Sequence, residues 1–471
     1  MLLRLGSFVV AALTVLICGQ ARSLGEDSAS STAVLAKSAI STALDEYVAK
    51  ADPSFQWKVI SRNRGFFGTE LVIDLKSQSW RQPGEVDRTL WQHWLAVAIP
   101  PEAKSDVALL IISGGANDRE APEGASQRAR ALAMASGAVV AEVGMIPNQP
   151  LTFADTVPRK EDSLLAYTWD QFLKTDDPTW PGQLPMTKAA VRAMDAVQAA
   201  LAEEQGAPKV QRFVVAGGSK RGWTTWLTAA VDKRVVAIAP LVIDLLNIDK
   251  SMRNHHGVYG FWAPALDDYV EFGLPDKRND PEYQELLKLV DPYTYRQRLT
   301  MPKCIINASG DEFFTPDSSQ FYFDDLPGEN LLSYQPNAGH SLEGSKALET
   351  LTAFFTSVVR DLPRPKVKWE LTDDNQWRVA CEPSPRRAVL WQATNPEARD
   401  FRLPTIGKAY TAMELKPADA GVYIGGAEEP AAGYTAFFIQ LEFDIGAATP
   451  LFISTPVCVT PATVPFADQL Q

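Results

Sequence analysis

The chain has 471 residues, of which 45 are Lys or Arg and 57 Asp or Glu, giving a formal net charge of −12. That balance argues against nucleic acid or an anionic membrane surface as a partner. An apolar content of 46% with 22% charged residues excludes a disordered or fibrous chain, and the length predicts two domains.

The N-terminus reads as a secretory signal peptide over residues 1–23. Arg4 supplies the positive start, Phe8 to Ile17 the apolar run, and Ala21-Arg22-Ser23 a small-x-small cleavage site. Ile17 is too bulky for Cys18 to head a lipoprotein. No later stretch approaches the ~20 apolar residues of a membrane span. The expected product is exported, periplasmic or secreted, with no membrane partner after cleavage.

Beyond a Ser/Ala-rich segment to about Ala43, strands are expected at Trp57–Asn63, Thr69–Lys76 and Trp91–Ile99. Val107–Ser113 is a continuous apolar run, as in a strand buried on both faces. A helix over Ala125–Ser136 leads to a second buried strand, Gly137–Val143, and this alternation predicts a mainly parallel sheet. An Ala-rich helix over Lys188–Glu204 precedes the strand that starts at Phe213, and Val235–Ile243 is the next strand. Two long stretches, about 145–186 and 245–299, leave the C-terminal ends of strands, where α/β folds place their ligand crevice. They are expected to be cap-like insertions that wall a pocket, with Trp169, Trp180, His255, His256 and Trp262 as substrate-contact candidates. Apolar strands at Cys304–Asn307 and Leu331–Tyr334 and a helix at about Gly344–Val359 close this region. Leu362-Pro363-Arg364-Pro365 reads as a linker. After it, strand signals recur at short spacing (Lys366–Leu371, Trp377–Cys381, Ala388–Ala393, Thr411–Leu415, Tyr434–Phe443, Leu451–Ser454), the pattern of a small all-β sandwich over residues 366–471.

The chemistry is concentrated at Phe213-Val214-Val215-Ala216-Gly217-Gly218-Ser219-Lys220-Arg221-Gly222-Trp223. An apolar strand ends in two glycines and a serine and passes at once into a helical pattern. This is the sequence of a nucleophile elbow, although Arg221 occupies the last glycine position of G-x-S-x-G and Gly222 follows one step later. The fold it belongs to orders its triad Ser, acid, His. Asp311 stands on the loop after the Cys304–Asn307 strand, with Glu312, Asp317 and Asp244 as rival acids. His340, one of only four histidines, stands on a small-residue loop after the following strand. Ser219, Asp311 and His340 are therefore the candidate nucleophile, acid and base. Backbone N–H donors for an oxyanion are expected from Lys220 and from Gly115 and Ala116 of the Gly114-Gly115-Ala116-Asn117 loop, where Asn117 adds a side-chain donor. Lys220 and Arg221 read either as exposed cations that draw an acidic substrate or as structural ion pairs. Trp223 and Trp226, at helical spacing, read as packing residues. Cys304 reads as a core residue, while Cys381 and Cys458 leave a disulfide open. No Cys or His spacing matches a zinc site, and no metal or organic cofactor is expected.

The elbow through Trp226, together with Glu161-Asp162-Ser163-Leu164-Leu165-Ala166-Tyr167-Thr168-Trp169, Leu184-Pro185-Met186-Thr187-Lys188 and Leu390-Trp391-Gln392-Ala393-Thr394-Asn395-Pro396, resembles the PhoPQ-activated pathogenicity-related family. The resemblance spans nearly all of the chain after the signal. It implies an exported α/β-hydrolase fold, here over residues 24–361, and says little of the substrate. The elbow is also similar to that of glucuronoyl esterases, Gly-Cys-Ser-Arg-x-Gly, with Lys220 in place of their arginine. The reading is an exported serine hydrolase that acts through an acyl-enzyme on a small-molecule, carbohydrate-linked or peptide substrate, with an ester favoured. A secreted peptidase of the same fold, or a non-catalytic secreted binding or regulatory protein on this scaffold, is the alternative.

Overall fold

The computed structural model describes residues 41–469. The segment read as a signal peptide, with Cys18, lies outside the described residues. Helix α1 (Ala43–Ala49) is closed by a capping box between Thr42 and Asp45. Three strands follow, β1 (Gln56–Gly65), β2 (Gly68–Ser79) and β3 (Leu90–Ile99), and then β4 (Val107–Ile112), α2 (Gln127–Ser136) and β5 (Val140–Val143). Every residue of β4 is buried, because helices cover both faces of a parallel sheet. Helix α2 is capped by the Ser126 hydroxyl and ends at Gly137 in the left-handed conformation.

The first insertion holds a two-stranded ribbon, β6 (Leu151–Thr152) with β7 (Pro158–Arg159), and helix α3 (Glu161–Thr175), which the sequence analysis left unassigned. Helix α4 spans Gln183–Glu203 and so begins five residues earlier than expected. Pro185 falls in its first turn, where a missing N–H costs nothing. Strand β8 (Arg212–Gly218), α5 (Lys220–Val231) and β9 (Val235–Leu241) follow. The second insertion folds into α6 (Ile248–Tyr259), α7 (Asp267–Glu271) and α8 (Pro281–Val290) with 3-10 turns between them. Strands β10 (Lys303–Ala308) and β11 (Asn330–Gln335) and helix α9 (Ala347–Arg360) complete the layer. Helix α9 starts three residues later than expected, since Gly344 takes a φ of 71°.

The main sheet has nine strands in the order β1-β2-β3-β5-β4-β8-β9-β10-β11. Pairing is antiparallel from β1 to β5 and parallel from β5 onward. This order, with a serine turn after β8, is the α/β-hydrolase fold. Beyond it, β12 (Lys366–Leu371), β13 (Gln376–Glu382), β14 (Arg387–Asn395), α10 (Leu403–Ile406), β15 (Thr411–Glu414), β16 (Val422–Gly426), β17 (Tyr434–Phe443), β18 (Leu451–Ser454) and β19 (Cys458–Thr460) form two antiparallel sheets. One is β12-β13-β16 and the other β15-β14-β17-β18 with β19 on β17. Strands β16 and β19 are not among those expected: β16 ends in two glycines, which blunt a strand signal, and β19 has only three residues. Cys381 and Cys458 are free and lie in different sheets, so the open disulfide is not formed; Cys304 is buried in β10. Among the described residues, no helix is long and apolar enough to cross a membrane, and no cluster of His, Cys, Asp and Glu could hold a metal ion.

Candidate active site

Ser219 sits between β8 and α5 at φ 57° and ψ −127°, a strained conformation for a residue with a side chain. The turn is made possible by glycines on either side of it. A Cβ on Gly217 would lie 2.6 Å from the Arg221 carbonyl oxygen, and one on Gly222 would lie 2.9 Å from the carbonyl oxygens of Gly217 and Leu241. The close strand–helix approach therefore falls on Gly217 and Gly222, which leaves the position between them free for the long side chain of Arg221.

His340 Nε2 lies 2.8 Å from Ser219 Oγ, and its Nδ1 lies 3.0 and 2.9 Å from the two oxygens of Asp311. Asp311 is buried, and its Oδ1 also accepts the Phe313 N–H. Burial pulls the His340 imidazole down, but the charge and hydrogen bond of Asp311 outweigh it and hold the group above its ordinary value, with Lys220 opposing. The rival acids are engaged elsewhere. Glu312 accepts the His340 backbone N–H at 2.6 Å, and Asp317 pairs with Arg399 at 2.8 Å. Asp244 is fully buried and receives the Tyr322 and Tyr334 hydroxyls at 2.7 and 2.5 Å, and burial pushes its carboxyl up to about 7.

The C-terminal region braces these loops. Leu403 N–H donates to Gly310 O at 2.8 Å, Gly310 N–H donates to Ala338 O at 3.0 Å, and Asn337 and Tyr410 exchange two hydrogen bonds of 2.9 Å. The acid loop and the histidine loop are thus tied to each other and to the segment after β14. No local sequence signal announces these contacts, since they join positions about 30 to 90 residues apart.

Lys220 is buried and Arg221 nearly so, and each is paired with an acid, which decides for structural ion pairs over exposed cations. Lys220 Nζ lies 2.7 Å from Asp162 and 3.3 Å from Glu161. Arg221 makes a two-nitrogen bond to Glu161 at 2.8 and 2.6 Å and donates from Nε to Ile146 O. Burial pushes the Glu161 carboxyl up, but Arg221, Lys220 and the Gln149 amide together hold it down at about 2. Arg221 also packs against Gly114, where a Cβ would lie 2.5 Å from Nη2. The Gly114–Asn117 loop is thereby seated beside the first turn of α5. Gly115 takes a φ of 133°, which only glycine adopts freely. The Lys220 N–H, as the first of the helix, has no intrahelical acceptor.

Ser219 opens onto an apolar pocket between α3, α5, α6 and α8, with walls from Trp169, Trp223, Trp262, Tyr283, Phe313 and Phe314. Trp169 and Trp262 of the insertions are therefore in the pocket, and so is Trp223, read from sequence as packing. Its indole N–H donates to Val290 O at 2.6 Å, so one ring serves both roles. The other candidates are elsewhere. Trp180 is buried among Trp80, Phe153 and Tyr167 with Arg81 stacked 4.2 Å over it. Asn117 spends its amide on Pro150 O at 2.9 Å rather than on the pocket. His255 is buried, accepts the Ala263 N–H at 3.1 Å, and is pushed down to about 3 by burial and Arg402; it is a neutral packing residue. His256 packs at 4.9 Å from the Trp262 ring, behind the pocket wall rather than in it. Sequence reasoning passed over Tyr269, whose hydroxyl donates to Asp162 at 3.1 Å, and Arg278, both in the wall.

The sequence profile of the PhoPQ-activated pathogenicity-related protein family matches residues 44–402, and the chain belongs to that family. It is 36% identical over 467 residues to autocrine proliferation repressor protein A of Dictyostelium discoideum, covering 92% of this chain and 93% of that protein. Similar solved structures include an acetyl xylan esterase from Paenibacillus sp. R4, at 13% identity and a TM-score of 0.46 over 67% of this chain and 92% of the other. A glucuronoyl esterase from Solibacter usitatus is similar at 14% identity and a TM-score of 0.40, over 67% and 91%.

Proposed function

We propose that this member of the PhoPQ-activated pathogenicity-related family is an exported serine hydrolase that cleaves an ester through an acyl-enzyme. The observation that carries the reading is the relay from Asp311 through His340 to Ser219, every link within 3.0 Å. Ser219 Oγ attacks the acyl carbon while His340 Nε2 takes its proton. His340 then gives that proton to the departing alkoxide, and a water, deprotonated by the same nitrogen, releases the acid and restores Ser219. Asp311 fixes the Nδ1–H tautomer and stabilises the imidazolium. The oxyanion is held by the Lys220 N–H with N–H groups of Gly115 and Ala116, each such donor typically worth about 3 kcal/mol in the barrier. Export rests on the Arg4, Phe8–Ile17 and Ala21-Arg22-Ser23 pattern.

Labelling with a fluorophosphonate probe tests the reading: Ser219 becomes modified and ester hydrolysis stops. Ser219→Ala and His340→Ala each abolish most turnover, and the double change costs little more than either, because the residues act as one unit. Persistent labelling in Ser219→Ala would remove the assignment. A second reading, a secreted regulator on this scaffold, is favoured by the name of the Dictyostelium relative, a proliferation repressor. A biological effect that survives Ser219→Ala would select it.

A further inference from the structure

Three charged side chains line the apolar pocket, Asp162, Lys220 and Arg278. The first two bond to each other. Arg278 is only 8% exposed, yet its Nε and Nη1 are buried with no hydrogen-bond acceptor. Asp249, Asp276 and Tyr283 favour its charge from a distance, but burial and the neighbouring Arg253 outweigh them and hold it below the ordinary arginine value. Asp249 itself pairs with Arg253 at 2.9 Å. A buried cation without a partner is costly, and an anion that enters the pocket removes that cost.

We infer that Arg278 is a specificity-determining residue that anchors a carboxylate of the substrate, so that the pocket takes esters whose apolar, aromatic part ends in a single negative charge. The inference rests on the hydrolase reading for the identity of the reacting group. Ser219 reaches the pocket from the sheet-end turn and Arg278 from the insertion after β9. Between them the wall is aromatic, with Trp169, Trp223, Trp262, Tyr283, Phe313 and Phe314 offering ring faces and edges to a flat apolar group. One unpaired cation neutralises one charge. A phosphate dianion would keep a second charge buried without a partner, so a carboxylate is the fitting anion.

The test compares 4-phenylbutanoate with its neutral amide, 4-phenylbutanamide, by titration calorimetry on the Ser219→Ala chain. The carboxylate binds at least tenfold more tightly than the amide, and Arg278→Met reduces the difference to within twofold. Arg278→Lys keeps part of it. Equal binding of the two probes, no measurable binding of the carboxylate, or a preference that persists in Arg278→Met overturns the inference. The probe comparison needs no change at Arg278, so a variant that fails to fold leaves it decisive. Fluorophosphonate labelling of the unmutated chain separates the two claims. A chain that is not labelled but still prefers the carboxylate through Arg278 loses the hydrolase reading and keeps the anion site.

Discussion

Glu161→Gln removes one negative charge from the network beneath the elbow and changes little else in shape. In the native protein the carboxyl is displaced from 4.5 to about 2, which corresponds to about 3.4 kcal/mol at ~1.36 kcal/mol per pH unit. The side chain is 35% exposed, so solvent screening reduces this to about 2 kcal/mol. The charge left behind, on Arg221, is only 11% exposed, which places the loss above that of a surface pair. Because the folded-state value is depressed, the stabilisation is complete above the unfolded value and is lost as pH falls toward 2. Urea unfolding at pH 7 therefore shows Glu161→Gln destabilised by about 2 kcal/mol, a gap that narrows steadily between pH 4.5 and pH 2.5. Turnover should fall as well, since the freed guanidinium no longer seats the Gly114–Asn117 loop, to which we assign oxyanion donors. A gap at pH 7 that is absent, or one that stays constant down to pH 2.5, would refute the argument.

Asp311→Asn removes the influence that holds the His340 imidazole high, and burial then prevails. Besides losing most activity, the variant should move the acid limb of its kcat/KM profile to lower pH; an unmoved limb would assign that limb to another group. Gly222→Ala drives a methyl group to within 2.9 Å of two backbone oxygens and should cost about 1–3 kcal/mol in unfolding while reducing fluorophosphonate labelling; unchanged labelling and stability would show that the elbow has room to spare. Asp244, raised to about 7 chiefly by burial, holds its proton when folded, so its contribution is present at acid pH and lost as pH rises through about 7. Melting temperatures measured from pH 5 to pH 8 should accordingly fall less in Asp244→Asn than in the unmutated protein, and parallel falls would contradict it.

What could be read along the chain was what short-range geometry encodes. The continuous apolar run at β4, the glycines around Ser219 and the strand–helix alternation all depend on neighbours a few residues apart, and they carried the fold and the elbow. Helix α3 was legible in principle, since Leu164, Leu165, Thr168, Trp169 and Phe172 recur at helical spacing and are buried. Which acid faces His340 was a different kind of question. Asp244, Asp311, Glu312 and Asp317 all follow strands and have the right chemistry. Only the packing of β10 against β9 and β11 set Asp311 at the imidazole and buried Asp244 between two tyrosines. The same holds for the cations. Nothing near Lys220 and Arg221 in sequence shows that Glu161 and Asp162, about 60 residues earlier, neutralise them, whereas Arg278 stays unpaired. Charge pairing and ring placement act across space, and a one-dimensional pattern fixes residue type and local backbone but not the distance between segments that the fold brings together.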